Sequence, residues 1–142
     1  MKIVKDYRWE MGHRLRFHNG VCKNLHGHSY KLSIELTGRK NENGMMIDFF
    51  DLDKIINPIV SKFDHAFFAA REDVDLIDAL KNLDSKVIVK DFEPTAENLS
   101  EYLAGEISKS KLPANIENIR VRVYESEESF AETETNMPKN RL

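Results

Sequence analysis

The stretch Cys22-Lys-Asn-Leu-His-Gly-His28 holds the only cysteine of the chain and two of its five histidines within seven residues. Imidazole and thiolate are preferred ligands of zinc and related cations, and both act as bases near neutral pH. Spacing decides how His26 and His28 can work together. On a helix, two residues separate side chains by about 200°; on a strand they share one face. The residues that follow favour the strand. Tyr30, Leu32, Ile34 and Leu36 are apolar at every second position, with Lys31, Ser33 and Glu35 between them. His26 and His28 have the parity of the apolar row and so extend its buried face. Gly27 between them leaves room for close backbone approach.

A catalytic zinc usually keeps three protein ligands and one open position. The third candidate is His13, which continues the row Ile3, Tyr7, Trp9, Met11 of the first segment, a row that Lys5 interrupts. If the two strands pair, His13, His26 and His28 converge at one end of a sheet. Cys22 lies in a polar loop four residues before His26. A cation and imidazoles nearby would favour its thiolate, either as a further ligand or as a general base; since three histidines suffice for a catalytic zinc, the base is the reading taken here. Asp64-His65 sets a carboxylate beside an imidazole. Glu125 falls on the apolar parity of Ile119, Val121 and Val123, where a carboxylate is costly without a partner. A planar donor pair on a ligand, of the kind that Arg or an aminopyrimidine edge presents, is one such partner. Singly these residues have ordinary explanations: a hydrogen-bonded core histidine, a solvated helix end, a strand-end acid facing water. Their combination in one chain favours a metal site.

The elements that must position them follow from periodicity. Residues 2–11 read as a strand, broken near Gly12, and a second strand runs from His26 to Thr37. Asn43-Gly44 is the strongest turn dipeptide, and Met45–Asp48 reads as a short extended piece. Leu52, Ile55, Ile56, Ile59, Val60 and Phe63 form one helical stripe, with Pro58 expected to kink or split the helix. Thr95 is the N-cap candidate of a second long helix, whose buried stripe is Leu99, Tyr102, Leu103 and Ile107. Residues 71–93, with a short helical and a short strand pattern, read as an insertion. Ile119–Tyr124 and a strand starting at Phe130 follow, and residues 132–142 read as a polar tail expected to fray. The order β-β-α-α-β-β predicts an α+β fold, an antiparallel sheet with two helices on one face.

A length of 142 residues suits one domain spanning 1–142. A net charge of −3 offers no basic excess for nucleic acid. No run approaches the ~18 apolar residues of a membrane span, and the first residues lack a signal-peptide core. A single cysteine excludes an internal disulfide, so a cytoplasmic protein is expected.

The chain resembles the family of 6-pyruvoyltetrahydropterin and 6-carboxytetrahydropterin synthases over nearly its full length. The resemblance rests on His13-Arg-Leu15, Cys22-Lys-Asn-Leu-His-Gly-His28, Ile47-Asp-Phe49, Asp64-His65, Pro94-Thr-Ala-Glu-Asn98 and Val123-Tyr-Glu125, in that order. It implies zinc held by His13, His26 and His28. It implies Cys22 as proton acceptor, Asp64 and His65 as its relay, and Glu125, with help from Thr95, as anchor of the pterin ring. It also implies the tunnelling fold, in which subunits close an antiparallel barrel as a trimer or a hexamer with active sites between them. Three residues between Cys22 and His26, and Asp48 after Ile47, resemble the 6-carboxy branch. That branch converts 7,8-dihydroneopterin triphosphate to 6-carboxy-5,6,7,8-tetrahydropterin, releasing acetaldehyde and triphosphate, on the way to queuosine. The alternatives are the pyruvoyl branch, which eliminates triphosphate from the same substrate, and a non-catalytic zinc- or pterin-binding module. Arg14, Arg16 and Lys23 are the triphosphate contacts suggested by position. Two departures stand out: Met11-Gly12 before His13, where relatives carry small residues such as Ala or Ser, and Ala66-Phe-Phe68 after His65, where many have Leu-Asn.

Overall fold

β1 (Lys2–His13) and β2 (His26–Gly38) pair antiparallel in the computed structural model, which describes residues 1–139. Alternation then sends Tyr7, Trp9, Met11, Tyr30, Leu32, Ile34 and Leu36 to one face, where all are buried. The interruption at Lys5 is explained by a helix above it. Lys5 Nζ meets Asp53 at 2.6 Å, and Tyr7 Oη donates to the same carboxylate at 2.8 Å. Asp53 belongs to α1 (Phe49–Ser61), capped by Asp48, whose side chain accepts from the Phe50 N–H. The remaining elements are β3 (Ala66–Ala70), α2 (Val74–Asn82), β4 (Val87–Lys90), α3 (Ala96–Ser108), β5 (Ile116–Tyr124) and β6 (Phe130–Asn136), with a turn of 3-10 helix at Val21–Lys23.

The six strands form one sheet in the order β4-β3-β1-β2-β5-β6. Leu52, Ile56 and Val60 of α1 and Leu99, Leu103 and Ile107 of α3 close the main core over one face. α2 lies on the other. Phe68 of β3 joins the main core, whereas its neighbours Phe67 and Ala69 pack with Leu76, Ile77 and Leu80. Among the described residues no helix is long and apolar enough to cross a membrane.

The α+β class stands, and several expected details change. The sheet is mixed, because β1 pairs β3 and β3 pairs β4 in parallel, and the described residues form three helices of eight residues or more, not two. Residues 71–93 supply α2 and β4, which extend the sheet at one edge. Residues 132–136 of the expected tail belong to β6, and Met137 is buried; residues 140–142 lie outside the described residues. β1 runs unbroken through Gly12 to His13, and Met45–Asp48 is not a strand. Pro58 does not split α1. It is exposed, so the carbonyl it leaves without an amide partner can be hydrated.

The two family departures meet in space. Gly12 sits opposite Phe67 in the β1–β3 register. A Cβ at Gly12 would stand 2.5 Å from the Phe67 ring, so the bulky residue in β3 depends on the missing side chain in β1. Gly12→Ala is expected to destabilise the fold by about 1–3 kcal/mol, as overpacking does. Phe67→Ala made in the same chain should remove most of that increment, and denaturant unfolding of the double-mutant cycle checks it.

Candidate metal centre

The β1–β2 register sets His13 against His26 and Met11 against His28. All three imidazoles therefore stand at the end of the strand pair, on the face covered by the helices. Ring centroids are 4.6 Å apart for His13–His26, 4.9 Å for His26–His28 and 5.1 Å for His13–His28. One ligand nitrogen from each lies within 4.8 Å of the others, and among the described residues this is the one such cluster of metal-binding side chains.

Second partners orient the rings. His13 Nδ1 lies 2.7 Å from the Pro94 carbonyl, and His26 Nδ1 lies 2.7 Å from that of Asn24. A carbonyl only accepts, so each Nδ1 carries the hydrogen and each Nε2 presents a lone pair. Both Nε2 atoms are buried without a hydrogen-bond partner. Such orphans are costly; around a shared cation they become ligands whose tautomers are already fixed. Burial brings His13 down from its ordinary 6.5 to about 4, the Pro94 carbonyl opposing and the other two imidazoles adding to the fall. Burial, then His26, lowers His28 too. His13 and His28 are thus held in the neutral form that coordinates metal.

Glu125 directly follows β5 and is half-buried. Burial pushes its carboxyl above the usual range, Glu97 adds to this, and His26 opposes it. It lines a cleft of about 470 Å³ along the first turns of α3, with Ala96, Glu97 and Ser100. A second cleft of about 220 Å³ links it to His28. Thr95 caps α3, its hydroxyl oxygen accepting from the Asn98 N–H at 3.2 Å, which leaves the hydroxyl hydrogen able to donate to a ligand.

Asp64 and His65 form the turn from α1 into β3. Asp64 Oδ1 accepts from His65 Nδ1–H at 2.9 Å and from the Glu10 N–H at 3.1 Å, while the His65 N–H donates to the Glu10 carbonyl at 2.7 Å. The Glu10 amide first, and His65 after it, keep Asp64 below the usual carboxylate range. These bonds hold His65 at a φ of 56°, the left-handed region that a side chain disfavours. Its imidazole is exposed and lines a cleft of about 460 Å³ together with His26, Gly27 and His28.

Cys22 is half-buried in the single 3-10 turn and stands outside the histidine cluster. Its carbonyl accepts from the Leu15 N–H at 2.8 Å, which closes the loop between β1 and β2. Among the described residues its sulphur has no hydrogen bond to His65. The structure thus joins the three histidines, sets Glu125 within their electrostatic reach and pairs Asp64 with His65.

Arg14 and Arg16, suggested for triphosphate, are otherwise engaged. Arg14 Nε donates to buried Asp73 at 2.8 Å, and Arg16 bonds Glu93 and Glu72. Lys23 remains exposed. Sequence reasoning missed the orienting carbonyls of Pro94 and Asn24, which carry no side-chain signature. It also missed Tyr30 as a neighbour of the site, its hydroxyl 3.4 Å from His13 Nδ1, although it follows His28 in the same row.

A three-histidine centre at the end of this strand pair, with an acid beside it, defines a class that comparison identifies. The family model described as 6-pyruvoyl tetrahydropterin synthase matches residues 2–136, and the chain belongs to this family, with its tunnelling fold. The 6-carboxy-5,6,7,8-tetrahydropterin synthase of Haemophilus influenzae is 32% identical over 139 residues, covering 92% of this chain and 96% of that protein. The Rickettsia felis protein of the same name is 29% identical over 136 residues, covering 93% and 99%. The solved 6-pyruvoyltetrahydropterin synthase of Plasmodium vivax superposes with a TM-score of 0.76 at 18% identity, covering 96% of this chain and 98% of that one.

Proposed function

We propose that this chain is a zinc-dependent 6-carboxy-5,6,7,8-tetrahydropterin synthase, a lyase that converts 7,8-dihydroneopterin triphosphate and one water to the 6-carboxy product, acetaldehyde and triphosphate, in the route to queuosine. The observation that carries the metal assignment is the pair of buried, unpartnered Nε2 atoms on His13 and His26, each fixed by a carbonyl behind the ring. The choice of branch is supported by the names of the relatives and by the three-residue gap between Cys22 and His26.

His13, His26 and His28 would hold the zinc, which when bound acts as a Lewis acid toward oxygens of the substrate side chain. Cys22 as thiolate takes a proton from the side-chain carbon beside it. His65, oriented by Asp64, carries that proton onward. Glu125 accepts from the ring N–H groups, and the Thr95 hydroxyl adds a donor, so that the reacting carbon stays within reach of the base. β4 and β6 each have a strand partner on one side only. That leaves two edges for further copies to cover in a trimer or hexamer.

Product analysis tests the reading. Incubation with 7,8-dihydroneopterin triphosphate should yield the 6-carboxy pterin with acetaldehyde and triphosphate in equal amounts. A pyruvoyl product without acetaldehyde would move the chain to the other branch, and no turnover by zinc-loaded protein would leave a binding module.

Glu125 supplies a further prediction. Burial disfavours its charged form, so below the ordinary Glu range the native and unfolded chains are both protonated and no penalty exists. The penalty grows as pH rises through the raised native value. Glu125→Gln should therefore be more stable than the parent at neutral pH, yet bind pterin roughly ten- to a hundredfold more weakly, since a hydrogen bond to a charged group is worth about 1.5–3 kcal/mol. Thermal unfolding and fluorescence titration with a pterin read the two effects, and parental binding should weaken as pH falls through the same range.

A further inference from the structure

We propose that Arg8 and Lys31 form the anion subsite that receives the triphosphate of the pterin substrate, a proposal that rests on the functional reading above. The two residues are direct cross-strand partners in the β1–β2 register, on the sheet face opposite the core. Like charges placed directly opposite each other destabilise a sheet unless something neutralises them.

Nothing in the described chain does. The other six described arginines each meet a carboxylate: Arg14 with Asp73, Arg16 with Glu93, Arg39 with Glu117, Arg71 with Asp91, Arg120 with Glu35 and Arg122 with Glu132. Arg8 alone among them has no ion pair. Asp6 and Glu10 flank it on the same face of β1 without closing to ion-pair distance, and Glu10 instead accepts from the Ser29 hydroxyl at 2.8 Å. Lys31 has no carboxylate either; its ammonium lies 4.0 Å above the centre of the Tyr124 ring.

Position ties this pair to the metal centre. Arg8 and Lys31 line the 220 Å³ cleft that also contains His28, Glu125 and Ser29. Glu125 and Glu127 line the same cleft, so an anion is repelled from their end and drawn to the cationic end. A guanidinium fork beside an ammonium suits a ligand with several charged oxygens better than a single carboxylate. One molecule with a ring donor edge and a polyphosphate could thus meet Glu125, the histidines and this pair together.

The test titrates the purified protein with 7,8-dihydroneopterin triphosphate, 7,8-dihydroneopterin and inorganic tripolyphosphate. It compares the parent with Arg8→Gln, Lys31→Gln and a charge control, Arg39→Gln, circular dichroism checking the fold of each. The expected result is a loss of about tenfold or more for both phosphorylated ligands in Arg8→Gln and in Lys31→Gln. Dihydroneopterin should stay within about twofold, and the control should match the parent. Tripolyphosphate and substrate affinities that do not move in either variant overturn the subsite, even where pterin binding is intact. A parent that binds no pterin, yet loses tripolyphosphate when Arg8 or Lys31 is changed, upholds the subsite and overturns the pterin reading instead.

Discussion

Replacing Cys22 with alanine is expected to lower turnover by about 10²–10⁴-fold while the protein keeps about one zinc per subunit. A positioned base commonly contributes 10²–10⁴-fold, and no other thiol exists in the chain to take its place. The metal should survive because the cluster within mutual reach consists of His13, His26 and His28, with Cys22 outside it. Stability should change little, since Cys22 is only half-buried in a 3-10 turn whose closing bond uses its carbonyl and not its sulphur. Product assay and metal analysis on one sample decide the matter. Zinc lost together with activity would make the sulphur a ligand, and activity retained would remove its role as base.

His13→Ala should act in the opposite order, losing the metal first and turnover as a consequence. His13 is 1% exposed, the most buried of the three rings, and Pro94 fixes its tautomer. Two remaining imidazoles do not make a zinc site of the catalytic kind. The same residue gives the metal-free protein a pH signature. Unfolded, His13 takes a proton near 6.5; native, it resists until about 4. Between those values the unfolded chain binds more protons, so native stability falls as pH falls and levels off below about 4. The displacement corresponds to about 3 kcal/mol. Denaturant unfolding of metal-free protein from pH 7 to 4 should show this decline, and His13→Ala should flatten it. An unchanged slope in the variant would place the titration elsewhere.

Parity made the histidine cluster readable. His26 and His28 announce a shared face because Tyr30, Leu32, Ile34 and Leu36 continue their row, and His13 continues the row of Trp9 and Met11. Pairing of β1 with β2 then brings the three together without further information. β3 was not readable for a physical reason. Ala66-Phe-Phe-Ala-Ala70 is a short, continuously apolar run with no alternation, because helices cover it from both faces, α2 touching Phe67 and Ala69 while Phe68 enters the main core. With β3 unseen, α2 and β4 had no sheet to join. Arg14 and Arg16 seemed free for a ligand because their partners, Asp73, Glu72 and Glu93, come from distant segments. Arg8 was overlooked for the converse reason, since lack of a partner is a property only coordinates reveal.

One peptide bond joins the oxygen that aims His13 to the residue that caps α3. Any tug on the start of that helix is therefore delivered, within a single rigid amide plane, to the imidazole below it. A ligand bound above the helix and a cation held below it would share one lever, and whatever factor one imposed on the other's affinity would be returned in full.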